Sequence, residues 1–127
     1  MRGTADSKTV VGLVEKIKIL GDNAEADADA RIDTGATKSS IDEHLATDIG
    51  LGRIIKTTFI KSASGSSVRP VVRVRFVIAG REIEEEFTIA DRLKMRYPVL
   101  IGQNVIKKGF IVDPSKGAPA EDESSNN

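Results

Sequence analysis

Cysteine and tryptophan are absent from this chain of 127 residues, and histidine and tyrosine occur once each. Without cysteine there is no disulfide, no thiolate nucleophile and no thiolate metal site. A single histidine with no second His or Cys makes a poor transition-metal site. Neither sign of charge predominates, since nineteen Lys and Arg stand against nineteen Asp and Glu. Nucleic acid or an anionic membrane surface would draw on a positive footprint, so the balance argues against both as main partners. No apolar run approaches the roughly 20 residues of a membrane span, and the first ten residues lack the apolar centre of a signal peptide. A cytoplasmic location is therefore expected. The length suits one domain. Residues 9–113 are expected to fold, 1–8 to be a flexible N-terminus, and 114–127 to be a disordered acidic tail.

What is there reads as mainly β, with roughly seven short strands and two short helices. Residues 10–20 form one expected strand, with Val11, Leu13, Ile17 and Ile19 on one face. Residues 24–33 alternate with period 2, placing Glu25, Asp27, Asp29, Arg31 and Asp33 on one side and Ala26, Ala28, Ala30 and Ile32 on the other. A carboxylate cluster for Mg²⁺ or Ca²⁺, and with it a metal-dependent hydrolase using Asp27 and Asp29, is the functional alternative here. The spacing is not that of an EF-hand and Arg31 interrupts the acids, so a solvated edge is the better reading. Ser40-Ile41-Asp42-Glu43 has the pattern of a capping box, with Ser40 capping a helix that Gly50 or Gly52 stops. His44 falls beside that helix's apolar stripe of Ile41, Leu45 and Ile49 and is expected at the surface.

Residues 53–62 and 68–78 are strand-like and flank Ser62-Ala63-Ser64-Gly65-Ser66-Ser67, a small, polar hairpin tip that is either a plain loop or a lid. Residues 82–90 follow as a strand with Ile83, Phe87 and Ile89 inward and Glu84-Glu85-Glu86 at an exposed edge. Residues 97–102 form a short buried strand. Asn104 is expected to cap a brief helix ended by Gly109, and Phe110-Ile111-Val112 to form the last strand.

Asp33-Thr34-Gly35 is the active-site signature of aspartic peptidases, though three such residues also make ordinary turns. Two longer stretches resemble the retropepsin-like aspartic proteases. The first is Ile32-Asp33-Thr34-Gly35-Ala36-Thr37-Lys38-Ser39-Ser40-Ile41, running into a helix; the second is Val99-Leu100-Ile101-Gly102-Gln103-Asn104-Val105-Ile106. The resemblance implies a closed or partly open β-barrel carrying half a site per chain. It assigns Asp33 as the catalytic acid, Thr34, Gly35 and Ala36 as its loop, and Leu100, Ile101 and Gly102 as the loop behind the site. Ala63, Ser64, Gly65 and Ser66 become a substrate flap. Gln103 stands where the family has an arginine, and Thr37 where it often has an acid. The chain also resembles a family of ATP-dependent zinc proteases of the same fold, but it has no Gly-rich P-loop and no ligand set for zinc.

The implied chemistry needs two carboxylates about 3 Å apart sharing a proton, and no metal or cofactor. Only one Asp-Thr-Gly exists; Asp91 and Asp113 follow apolar residues but neither continues as Thr/Ser-Gly. A symmetric homodimer with Asp33 facing its counterpart is therefore expected, acting on a peptide or protein substrate. Ala36 offers the carboxylate no hydroxyl donor, so activity is expected at higher pH than pepsin's. The alternative is a dimeric peptide-binding module of the same fold without turnover.

Overall fold

The computed structural model describes residues 8–62, apart from the Ser62 side chain, and 65–117. Ala63 and Ser64 of the expected flap, residues 1–7 of the N-terminus and the tail from 118 lie outside the described residues. In chain order the elements are β1 (Thr9–Val11), β2 (Val14–Leu20), β3 (Glu25–Ile32), β4 (Ser39–Asp42), α1 (Glu43–Ile49), β5 (Ile54–Ser62), β6 (Gly65–Ile78), β7 (Arg81–Ala90), β8 (Val99–Ile101), α2 (Gln103–Ile106) and β9 (Phe110–Val112).

Six strands close into a barrel in the order β2-β3-β8-β4-β7-β6, with β6 returning to β2 through pairs such as Ile19↔Phe76. Alternation explains the closure: Ile17, Ile19, Ala28, Ala30, Ile32, Val72, Val74, Phe76 and Ile78 all turn into one buried core. The small alanines of β3 leave room for two phenylalanines, Phe76 and Phe87, packed edge to face at 5.3 Å between ring centres. The fourteen residues of β6 outrun the barrel. Their first half pairs with β5 from Ile54↔Val72 to Ser62↔Gly65, forming a hairpin that projects from the wall.

Four details depart from the sequence reading, each for a tertiary reason. The strand expected over residues 10–20 breaks at Gly12 and Leu13, because β1 leaves the barrel to pair in parallel with β9. There Leu13 N–H donates to Lys116 O at 2.9 Å, and a Cβ on Gly12 would collide with that same carbonyl. Residues 39–42 are extended, not the start of a helix, because β4 is zipped between β7 and β8. The cap of α1 is accordingly Asp42, whose Oδ2 accepts the N–H groups of His44 at 3.0 Å and Leu45 at 3.4 Å. Glu43 becomes the first helical residue, and Gly50, at φ 82°, stops the helix as expected.

Likewise α2 is capped by Gly102, and Asn104 sits inside the helix with its side chain turned to other work. Finally, the Glu84-Glu85-Glu86 run is on no edge, since β7 lies between β4 and β6. Glu82 and Glu84 pair with Arg75 and Arg73 across the strand, and Glu85 with Lys108 at 3.0 Å. The acids of β3 are exposed and meet Lys16 and Lys18 of β2. Among the described residues, no three of His, Asp and Glu gather to hold a metal ion, and no helix is long and apolar enough to cross a membrane.

Candidate active site

Asp33 leaves the end of β3 at the point where β3 and β8 part. Its N–H donates to Ile101 O at 2.8 Å, the last bond of that parallel ladder. The chain then turns: Ala36 N–H reaches Asp33 O at 3.2 Å, and Gly35 N–H donates to Asp33 Oδ1 at 2.9 Å. Thr34 and Gly35 are exposed and Asp33 and Ala36 half-buried, so the carboxylate sits in a turn that faces outward from the barrel.

This turn is held from behind by the β8–α2 joint. Gln103 N–H donates to Ala36 O at 2.7 Å, Asn104 N–H to Thr37 O at 3.3 Å, and the Gln103 side-chain amide to Thr34 O at 2.7 Å. The glutamine that replaces the family's arginine thus braces the Asp33 turn itself. Gly102 lets the two loops touch: a Cβ there would clash with Lys38 O and lie 2.8 Å from Ala36 O. Buried Ser39 completes the joint, its Oγ accepting Gly102 N–H at 2.9 Å and donating to Asn104 Oδ1 at 2.7 Å. The Asn104 amide continues to Glu86 O at 2.9 Å, so the joint is tied to β7 as well. Sequence reasoning placed Leu100, Ile101 and Gly102 behind Asp33, and the structure brings them there. The sequence reading missed Ser39 and the role of Asn104, for which the only signal was their own polarity at the ends of the two loops.

Two open cavities flank the turn. One, of about 450 Å³, is lined by Gly35, Ala36, Lys38, Phe59, Lys61, Arg69 and Arg92 among others. The other, of about 390 Å³, is lined by Asp33, Thr34, Arg31, Met95, Arg96 and Tyr97 among others, and again by Arg92. Among the described residues Asp33 is the one carboxylate lining either. The cations there differ from those on the faces of β2 and of β6 and β7. On the outer face Lys16, Lys18, Lys56, Arg73, Arg75 and Lys108 each meet a carboxylate. Among the described residues Arg31, Lys38, Lys61, Arg69 and Arg92 make no such contact. Burial, and then the nearby Arg69, lower the pKa of the Arg92 guanidinium; Asp42 and Asp33 act in the opposite direction. Of the expected flap, Gly65 and Ser66 are described and are exposed at the start of β6. The hairpin shank carries apolar surface that the polar tip did not suggest: Phe59 and Val68 face each other across the strands and are 61% and 62% exposed.

Residues 45–122 match the family model described as retropepsin-like aspartic endopeptidase RimB. The chain belongs to this RimB-like family. The matched span holds the hairpin, β8 and α2 and begins after Asp33. No curated protein matches the chain. Among solved structures it is similar to protein Lpg0085 of Legionella pneumophila subsp. pneumophila str. Philadelphia 1, a protein of unknown function (DUF785). The identity is 21%, covering 84% of this chain and 94% of that one, with a TM-score of 0.57. It is also similar to the simian foamy virus protease, at 23% identity over 74% of this chain and 91% of the viral one, with a TM-score of 0.54. At these identities the likeness establishes a shared retropepsin-like barrel.

Proposed function

We propose that this protein is an aspartic endopeptidase that acts as a homodimer, with Asp33 and the Asp33 of a second copy forming the catalytic pair. One observation carries the reading: Asp33 is presented on a braced turn flanked by two open cavities, and among the described residues it is the one carboxylate lining either. One acid cannot share its proton with a partner it lacks, so the second half comes from another copy. In the assembled pair, the ionised carboxylate takes a proton from water while the protonated one donates to the scissile carbonyl oxygen. The tetrahedral intermediate then collapses as the amine leaves with a proton. An extended substrate lies along the groove, with Phe59 and Val68 of the hairpin offering it apolar surface. Five cations without carboxylate partners around the two cavities favour peptides bearing Glu or Asp near the cut bond.

The test is a diverse peptide mixture incubated with the protein and with Asp33→Ala, read by mass spectrometry across pH. The wild type is expected to give products enriched in acidic residues beside the cut, insensitive to chelators. Asp33→Ala is expected to lose about 10³-fold or more. Equal cleavage by the variant would sink the proposal. Binding of peptides by both proteins, with products from neither, would favour the non-catalytic module.

A further inference from the structure

Among the described residues Arg92 and Leu100 are the two that line both cavities, so Arg92 is the one charged group common to them. Its guanidinium is fixed on the inner side alone. Nε donates to Tyr97 O at 3.0 Å and Nη1 to Ser40 Oγ at 3.1 Å, both neutral acceptors. The adjacent carboxylate, Asp42, is committed to main-chain N–H groups: Oδ1 takes that of Arg92 itself at 2.8 Å, and Oδ2 takes those of His44 and Leu45. Among the described residues Nη2 makes no hydrogen bond. Asp42 and Asp33 are near enough to favour the charge of the guanidinium, but neither touches it. A half-buried guanidinium pinned in place with no carboxylate in contact has room for one from outside.

We propose that Arg92 is a shared recognition residue: one guanidinium serves two substrate side chains, one in each cavity, so that their contributions to binding are not independent. This rests on the groove reading above. The first carboxylate to arrive takes the fork of the guanidinium. A second one then meets a cation already neutralised, and it is repelled by the first. Arg69, Lys38 and Lys61 remain on one side and Arg31 and Arg96 on the other, so each cavity keeps some attraction of its own. The structure therefore distinguishes a shared charge from private ones.

The experiment uses the full chain carrying Asp33→Asn, which holds peptides without cutting them, and measures binding by fluorescence anisotropy. Labelled octapeptides carry Glu or Gln at every pair of positions, giving a double-substitution cycle for each pair. One pair is expected to gain about 5-fold less than the product of its single gains. With Arg92→Gln added, both single gains shrink and the remaining ones multiply within roughly 2-fold. If Arg92→Gln fails to fold, Arg92→Lys keeps the charge but replaces the fixed planar fork with a single flexible nitrogen, and it should weaken the coupling at least about 2-fold. Additive gains at all pairs, or coupling that survives both substitutions, would overturn the proposal. Glu that binds no better than Gln, with wild type still cutting neutral peptides, also overturns it and leaves the endopeptidase reading standing. Coupling seen in a protein whose wild type cuts nothing upholds it and removes that reading.

Discussion

At the scale of single residues, Asp42 joins the helix to the groove. One oxygen caps α1 and the other holds the main chain of Arg92. Burial works to raise its pKa. The N–H groups of Arg92, Leu45 and His44 outweigh it and hold the carboxyl below its ordinary value of 3.8. A folded pKa below the unfolded one contributes stability that is present above about pH 4 and is lost as pH falls through the folded value. Asp42→Asn is therefore expected to lower unfolding free energy by about 1 kcal/mol at pH 7 and by little near pH 2, because the protonated acid and the amide are then alike. Urea unfolding at the two pH values checks this; an equal loss at both would refute the charge argument. Asp42 was read as the third residue of a capping box, since nothing local says that β7 and β8 will hold residues 39–42 extended.

At the scale of elements, the joint between β8 and α2 decides where the Asp33 turn sits. Ser39, Gly102 and Asn104 make it from three different elements and their ends, and none touches the cavity beside Asp33. Asn104→Ala removes the acceptor of the Ser39 hydroxyl and the donor to Glu86 O. It is expected to cost about 2–3 kcal/mol of stability, as two partly buried groups lose their partners. Activity should fall through kcat more than through KM, because the turn moves while the cavity walls stay. Unfolding and steady-state kinetics on one preparation separate the two effects; unchanged kcat in a destabilised protein would make the joint purely structural. The two loops were legible in the sequence as a matching pair. Their polar fastening was not, because hydrogen bonds between residues 65 apart leave no pattern along the chain.

At the scale of the whole molecule, barrel closure leaves β5 alone at the margin of the sheet, so the hairpin stands free of the core. Its exposed Phe59 and Val68 then have no neighbour among the described residues to cover them. They face the space that substrate or a second copy would fill in the proposed dimer. If the site is completed by a second copy, specific activity must depend on protein concentration. Dilution below the dimer's dissociation constant is expected to reduce rate per chain in proportion to dimer content, and saturating peptide to restore it by mass action. Activity measured alongside sedimentation over a thousand-fold range of concentration, in roughly tenfold steps, tests this. A constant rate per chain through a visible monomer transition would mean that one copy suffices.

Residue order alone pointed to most strands of the wall, though not to β4, and to the turn that holds Asp33. Period-two alternation and turn-forming glycines are local properties, and Asp33-Thr34-Gly35 is contiguous. Tertiary structure decided which strand ends meet, and so the caps of both helices, the break after β1 and the bracing of the turn. It also decided that six cations scattered from Arg31 to Arg96 line the two cavities beside a single carboxylate among the described residues, while acids of β3 and β7 meet other cations on the outer face. A balanced net charge concealed that separation, since a sum over the chain keeps no record of the side of the barrel on which each charge falls.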